Sequence, residues 1–388
     1  MLLRGIKVKK VLFVCNVLSH IYAFHLPYIE WFKQNGYEVH ILTNAGGKTA
    51  ECCDKLYDVG IERSPFSLKN ISAYRTAKKI IESEKYDIVH CHTPMGGVIG
   101  RLASKTIRKD GAKVLYTAHG FHFYKGAPLL NWLLYYSMEK ALVKYTDAII
   151  TINSEDYSRL NKMIGKQPCK QYFLNGVGVD TKKFHPCSLE LREANKEDNG
   201  YKDKVLLFYA AEFIKRKNHK FLIENFYEIH KAYPNTMLLL AGKGSLKDEM
   251  EKLVQRLSLN DSVRFLGFRK DIPELLSMID INLSTSFQEG LPINVVEGIA
   301  SACPELVSSI RGNIDVVKNG YNGYIYQVNN SKEFCEKAIE LISNKELRLQ
   351  MSNNNLEQIK SLDIDVIVEQ MANIYKEYTE GHGNDKEI

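Results

Sequence analysis

The feature that most constrains this chain is an alternation of short and long patterns that runs twice. In the first half, β-branched and nearly all-apolar runs fall at Lys10–Cys15, Glu38–Thr43, Asp87–Cys91, Lys113–Ala118, Asp147–Ile152 and Gln171–Leu174. Longer runs with helical periodicity lie between them, among others at Ile21–Gln34, Ala73–Glu84 and Leu129–Lys144. Strands without polar alternation are the kind that a parallel sheet buries on both faces. Strand and helix in turn predict a doubly wound α/β sheet. A break follows at Asn175–Lys204, with Gly176, Gly178, Pro186, Gly200 and a charged stretch from Glu190 to Asp198. It reads as a linker and the lead into a second domain. The plan then recurs at Val205–Ala210, Thr236–Ala241, Ser262–Leu266, Asp280–Ser284, Glu305–Ser309 and Gly323–Gln327, with no sequence repeat behind it.

At 388 residues the chain is long for one core, so two domains are expected. They are placed at residues 1–182 and 183–364, followed by a C-terminal segment, 365–388. A last helix over about Asp365–Thr379 carries Val366, Ile367, Met371, Ile374 and Tyr375 on one stripe. The tail Glu380–Ile388 is polar and expected to fray. Two such domains leave a cleft, and open α/β sheets bind ligands at the carboxyl ends of their strands. The cleft is therefore the expected site.

One stretch stands out for chemistry: Ser286–Cys303, SFQEGLPINVVEGIASAC. It reads as a loop, a sharp turn at Gly290, and a helix from Pro292 to about Ala302. Pro292 suits a first helical position, where its missing N–H is no loss. The helix start is an anion site by its free N–H groups and dipole. Glu289 lies just before it, and Glu297 lies about 7.5 Å further along at ~1.5 Å per residue. A nucleotide sugar fits this spacing, with diphosphate at the dipole, sugar hydroxyls on Glu289 and ribose hydroxyls on Glu297. A capped helix with two solvated glutamates is the plain alternative.

Glu289 and Glu297, with Gly290, Leu291 and Pro292 between them, resemble the paired-glutamate signature of retaining GT-B glycosyltransferases of family 4. The surroundings are similar too: Gly242-Lys243-Gly244, Arg264-Phe265-Leu266-Gly267-Phe268 and Asp271-Ile272-Pro273-Glu274-Leu275-Leu276. Val89–Pro94, Tyr116–His122 and Asn175–Asp180 resemble a bacterial branch that builds capsule and exopolysaccharide. The resemblance covers nearly the whole chain. It implies two Rossmann-like domains facing a cleft, the first for the acceptor, the second for a UDP-sugar, with the final helix crossing back to the first. It implies transfer of a hexose or N-acetylhexosamine to a polyprenyl-diphosphate-linked glycan without a metal or other cofactor. Donor contacts are expected from Arg216, Lys217, Gly242, Gly244, Phe268, Glu289, Gly290, Leu291, Pro292 and Glu297. His119, Lys217 and Glu289 are the expected catalytic group, and Asn16, Ser19, His20 and His122 the acceptor contacts.

The chain departs from the family pattern at three points. Glu212 stands where the family has an arginine, so Lys217, helped by Arg216 or Lys215, is left to meet the diphosphate. The loop Asn16–His20 lacks the usual glycine pair. Ala302-Cys303-Pro304-Glu305 replaces Gly-x-Pro-Val, which sets a glutamate at the start of a buried strand, and Gly298 lies inside the helix. His119 follows a strand at its carboxyl end and is expected to make a polar contact to donor sugar or acceptor. His90 and His92 flank Cys91, a spacing read as alternating strand faces and so as no metal site.

Composition excludes several classes. No apolar run reaches the ~18 residues that span a bilayer. The opening MLLRGIKVKK lacks a signal-peptide core, so the cytoplasm is expected. The 8 cysteines form no metal-like pair. A net charge of +6, spread along the chain, suits an anionic donor or membrane surface but no nucleic acid. Between Phe121 and Tyr145, Phe123, Tyr124, Leu129, Leu130, Trp132, Leu133, Leu134, Tyr135 and Tyr136 accompany Lys125, Lys140 and Lys144. This is either a core helix or an element at the inner face of the membrane. The rival functions are a UDP-sugar 2-epimerase of the same architecture and a non-catalytic sugar-nucleotide-binding protein. A nicotinamide dehydrogenase is disfavoured because no G-x-G-x-x-G follows an early strand.

Overall fold

The computed structural model describes residues 8–379, so the expectation for the tail Glu380–Ile388 falls outside it. The chain forms two compact units. One runs to Val177 and takes in the chain from Ile367 onward; the other is Gly178–Val366.

The first unit is a sheet of β1 (Lys10–Val14), β2 (Glu38–Thr43), β3 (Lys55–Asp58), β4 (Ile88–His92), β5 (Lys113–Ala118), β6 (Ala148–Thr151) and β7 (Lys170–Phe173). Its order is β3-β2-β1-β4-β5-β6-β7, and every pair is parallel. The strand order reverses between β1 and β4, the place where doubly wound sheets present their ligand crevice. Strand β3 escaped the sequence because Lys55-Leu56-Tyr57-Asp58 is a polar edge strand and carries no apolar run. Where Ile21–Gln34 read as one helix, there are two, Leu18–Phe24 and Leu26–Gln34, which meet at His25. Pro27 has no N–H to donate back to the turn before it, which ends the first helix at Phe24, and it suits the first turn of the second. The run Leu129–Lys144 also differs. Leu129–Asn131 passes into a π-helical turn, Trp132–Tyr136, then Ser137–Leu142 and a 3₁₀ turn, Val143–Tyr145.

The second unit holds β8 (Val205–Ala210), β9 (Thr236–Ala241), β10 (Val263–Gly267), β11 (Ile281–Ser284), β12 (Glu305–Ser308) and β13 (Gly323–Tyr326). The order is β10-β9-β8-β11-β12-β13, again all parallel, with the reversal between β8 and β11. The charged stretch read as linker is a helix, Leu189–Asp198, capped by Ser188. Its polar composition hid a buried pair, Lys196 Nζ to Asp280 Oδ2 at 2.8 Å.

Two oddities of the sequence explain each other. Glu305 is fully buried, and its carboxyl accepts from Asn282 Nδ2 at 3.0 and 3.1 Å. A Cβ at Gly298 would lie 2.2 Å from Glu305 Oε1 and 2.3 Å from Asn282 Nδ2, so the helix needs glycine to pass this pair. The helix itself is Ile293–Ala300, one turn shorter at its ends than expected, with Pro292 as N-cap in an extended conformation rather than first helical residue. It closes with a Schellman arrangement, Cys303 N–H to Gly298 O and Ala302 N–H to Ile299 O. Ala302 takes φ +56° there, which accounts for the glycine that the family pattern has at this place.

Burial pushes the Glu305 carboxyl well above its ordinary value of 4.5. The fold thus holds one more proton than the unfolded chain, and this stabilisation is lost as pH rises from that value through the folded-state pKa. Relative to Glu305→Gln, the wild type should lose up to ~1.4 kcal/mol per pH unit across that window. Urea unfolding of both proteins from pH 4 upward checks this; parallel curves would contradict it.

Candidate active site

In the second unit the candidate residues gather at the carboxyl ends of β8, β9, β11 and β12. Strand β11 runs into loop 285–292, which is pinned on several sides. Phe287 N–H donates to Arg216 O at 2.8 Å, and Thr285 Oγ1 and Tyr209 Oη both donate to Lys217 O at 3.0 Å. Ser308 Oγ donates to Ser286 O at 2.7 Å, and Arg311 Nε to Glu289 O at 3.1 Å. The loops after β8, β11 and β12 are therefore one hydrogen-bonded assembly.

Glu289 sits at its centre, 5 % exposed. Lys217 Nζ meets its Oε1 at 2.5 Å, and Arg216 Nη1 meets its Oε2 at 3.2 Å and Gln288 O at 3.1 Å. Two cations on one loop thus face one carboxylate on another. Glu212 and Lys215 are exposed to solvent on the same turn. Gly242 and Gly244 support the cationic loop: a Cβ would lie 2.0 Å from Ala211 O at the first and 2.5 Å from Phe213 O at the second. Phe268 is 64 % exposed, with Lys243 Nζ 5.2 Å from its ring centre. Leu291 packs partly against the core, and Gly290 O stands 3.0 Å from where a Cβ of Gly312 would be. Glu297 is half-buried on the helix that follows, and burial pushes its carboxyl up to about 7 against the lowering effect of Lys183.

Sequence reasoning missed Arg311, Tyr209, Ser286 and Ser308, which hold the loop in shape. Position after β12 was the available signal for Arg311. A buried tyrosine inside an apolar strand gave none.

In the first unit, Asn16, Ser19, His20 and His119 lie at the carboxyl ends of β1 and β5. Asn16 is nearly buried, and its N–H donates to Thr93 Oγ1 at 3.1 Å. Ser19 is exposed. His119 meets His20 edge to face, ring centres 4.5 Å apart. His122 instead packs on Tyr135, at 4.8 Å. The expectation that His90 and His92 face opposite ways is wrong: positions two apart share a strand face, and their rings are 4.0 Å apart. Burial lowers His20 to about 4 and His90 to about 3, and holds His25, His92 and His119 well below their ordinary value.

Two family models match, "Glycosyl transferase 4-like" over residues 10–153 and "Glycosyl transferases group 1" over residues 192–358. A putative glycosyltransferase, EpsD of Bacillus subtilis (strain 168), is 40 % identical across 98 % of this chain and 100 % of its own. The chain belongs to the family-4 glycosyltransferases. An Escherichia coli relative, UDP-Gal:alpha-D-GlcNAc-diphosphoundecaprenol alpha-1,3-galactosyltransferase, is 27 % identical over 91 % of this chain and 95 % of that protein. Among solved structures, Anabaena Alr3699/HepE in complex with UDP and glucose superposes with a TM-score of 0.76 at 18 % identity, covering 95 % of this chain and 100 % of that one. The fold of this glycosyltransferase is thus GT-B.

If the Lys217–Glu289 pair holds the two loops together, Lys217→Met should cost about 1–3 kcal/mol by leaving a buried carboxylate half-paired. Adding Glu289→Gln should recover more than half of that loss. A double-mutant cycle by urea unfolding reads the coupling; additive losses would mean that the pair is incidental.

Proposed function

We propose that this glycosyltransferase moves a hexose or N-acetylhexosamine from a UDP-sugar to a polyprenyl-diphosphate-linked glycan, with retention at the anomeric carbon. The observation that carries the reading is the pairing of Lys217 and Arg216 with Glu289 at the start of the helix Ile293–Ala300. On this reading the diphosphate takes over the two cations and the helix N–H groups, which frees Glu289 for the sugar hydroxyls. Glu297 accepts from the ribose hydroxyls, Phe268 offers a face to the uracil, and Gly290, Leu291 and Pro292 line the phosphate turn. The names of the Escherichia coli and Anabaena proteins, with UDP-Gal and UDP, support the nucleotide, and "diphosphoundecaprenol" supports the acceptor. The first unit would take that acceptor, with Asn16, Ser19, His20, His119 and His122 as candidate contacts.

The bond from C1 of the sugar to the β-phosphate oxygen breaks, and the acceptor oxygen bonds to C1 on the same face. The leaving phosphate takes the acceptor's proton. Preorganised cations at a leaving group are worth several kcal/mol, and Lys217 and Arg216 supply that charge without a metal. Transfer from a panel of UDP-sugars to polyprenyl-diphosphate-linked N-acetylglucosamine, read by mass spectrometry, tests the reading. Conversion of the UDP-sugar without acceptor would instead identify an epimerase.

Glu297 accepts from both ribose hydroxyls with both oxygens only when ionised, since protonation turns one oxygen into a donor. Because its carboxyl titrates at about 7 in the free protein, UDP affinity should fall as pH drops below 7, approaching about tenfold per unit. Calorimetry should show Glu297→Gln with weaker binding and a flatter profile. An unchanged profile would remove Glu297 from the ribose.

The run after Phe121 divides in two. Phe121, Phe123, Trp132, Tyr135 and Tyr136 pack on the core, and Arg159 lies 4.6 Å over Trp132. Leu129, Leu130 and Leu133 are 86 %, 68 % and 72 % exposed, beside the exposed Lys125 and Lys140. No helix among the described residues is long and apolar enough to cross a membrane. We assign these three leucines to peripheral contact with anionic lipid at the inner membrane face, where a lipid-linked acceptor would be met. Flotation with anionic liposomes at low salt should be lost in Leu129→Ser/Leu130→Ser/Leu133→Ser. Equal flotation of variant and wild type, or none in either, would contradict the assignment.

A further inference from the structure

The first unit holds a group of imidazoles, two of which, His20 and His119, are also candidate acceptor contacts in the proposed function. His25 sits at the break between two helices, His20 on the first of them, His92 at the end of β4 and His119 just past β5. One ring nitrogen from each of His20, His25 and His119 lies within 4.8 Å of the other two. His92 packs against His25, ring centres 3.8 Å apart. Among the described residues, six buried nitrogens here have no hydrogen-bond partner: both of His25, both of His92, and Nε2 of His20 and of His119. His90, next in the row, is fully satisfied by Tyr375 Oη at 2.8 Å and Thr117 Oγ1 at 2.9 Å.

A buried polar group without a partner costs ~1–3 kcal/mol, so six together call for a ligand. Each neutral imidazole offers one lone pair, and the group has no carboxylate of its own to take its N–H bonds. Burial disfavours the cationic imidazoles that would hold an anion, and the cation that bears on His20, Arg63, is exposed to solvent. A borderline metal ion would find several lone pairs.

We propose that His20, His25 and His119 form a site for a transition-metal ion of the Zn²⁺ class, with His92 fixing the plane of His25. Tetrahedral zinc with Zn–N of 2.0–2.1 Å sets its ligand nitrogens about 3.4 Å apart, so the three rings must draw in by roughly an ångström. His20 and His119 are only partly buried, so the adjustment falls to them. Three nitrogens leave a fourth position for water or an oxygen ligand. Imidazole suits zinc, copper or nickel and not Mg²⁺, so the site is separate from any charge needed at a leaving diphosphate. Sequence does not show it, because the histidines come from separate segments that only the fold brings together.

The test is metal binding by the tag-free, full-length protein after chelator treatment and dialysis. Titration with Zn²⁺ against a chromophoric chelator should give one equivalent. Co²⁺ in its place should give the intense visible bands of a tetrahedral site. His25→Ala and His20→Ala/His119→Ala should weaken binding at least about 100-fold, beyond what outer-shell changes cost, while the exposed His185→Ala should not. The wild-type titration does not depend on any variant folding. Absence of stoichiometric binding by the folded wild type, or undiminished affinity in folded His20→Ala/His119→Ala, would overturn the proposal. Neither result bears on nucleotide binding, which is read separately.

Discussion

Much of the second unit's site depends on one buried carboxylate and its two cations. Glu289 is nearly out of solvent, and a charge there persists only if it is paired. Lys217 and Arg216 pair it from the loop after β8, while Arg311 holds its backbone from the loop after β12. The carboxylate thus locks three strand ends into one surface at the reversal of strand order. The helix beginning after Pro292 adds its N–H groups to the same place. An arrangement of this kind is charged and neutralised at once, so an anionic ligand has only to exchange partners rather than create the site.

Much of this was legible in the sequence because it depends on periodicity. Parallel strands buried on both faces are nearly all apolar, as β1, β6, β8 and β9 show; the polar edge strand β3 is not. Glu289, Glu297 and Lys217 stand out by spacing and family pattern, and the fold pairs Lys217 with Glu289. What the sequence hid were long-range partners. Arg311, Tyr209 and Ser308 act on loop 285–292 from other strands, and no local pattern marks them. Glu305 at the start of a buried strand has no local explanation and becomes intelligible beside Asn282 and Gly298, which lie close only in the fold. The reading of His90 and His92 failed by a simple geometric slip about a strand's period.

The first unit follows a different logic. Burial holds His20, His25, His90, His92 and His119 below their ordinary value, and the unit's strand ends hold no cation pair like that of Lys217 and Arg216 among the candidate residues. The helix break at His25, caused by Pro27, is what brings an imidazole into the row. The π-helical turn at Trp132–Tyr136 has a comparable effect: it turns its aromatics to the core and leaves leucines outside. In both places a local departure from regular helix aims side chains where regular geometry would not.

Where a nucleoside diphosphate lies decides whether Lys217, Arg216 and Glu289 form the donor site. Hydrogen–deuterium exchange with and without saturating UDP locates it directly. The account predicts slower exchange in peptides covering 212–218 and 286–297, the cationic turn and the loop with its helix start. Slowing confined to other segments, or none under conditions where calorimetry shows binding, would contradict it.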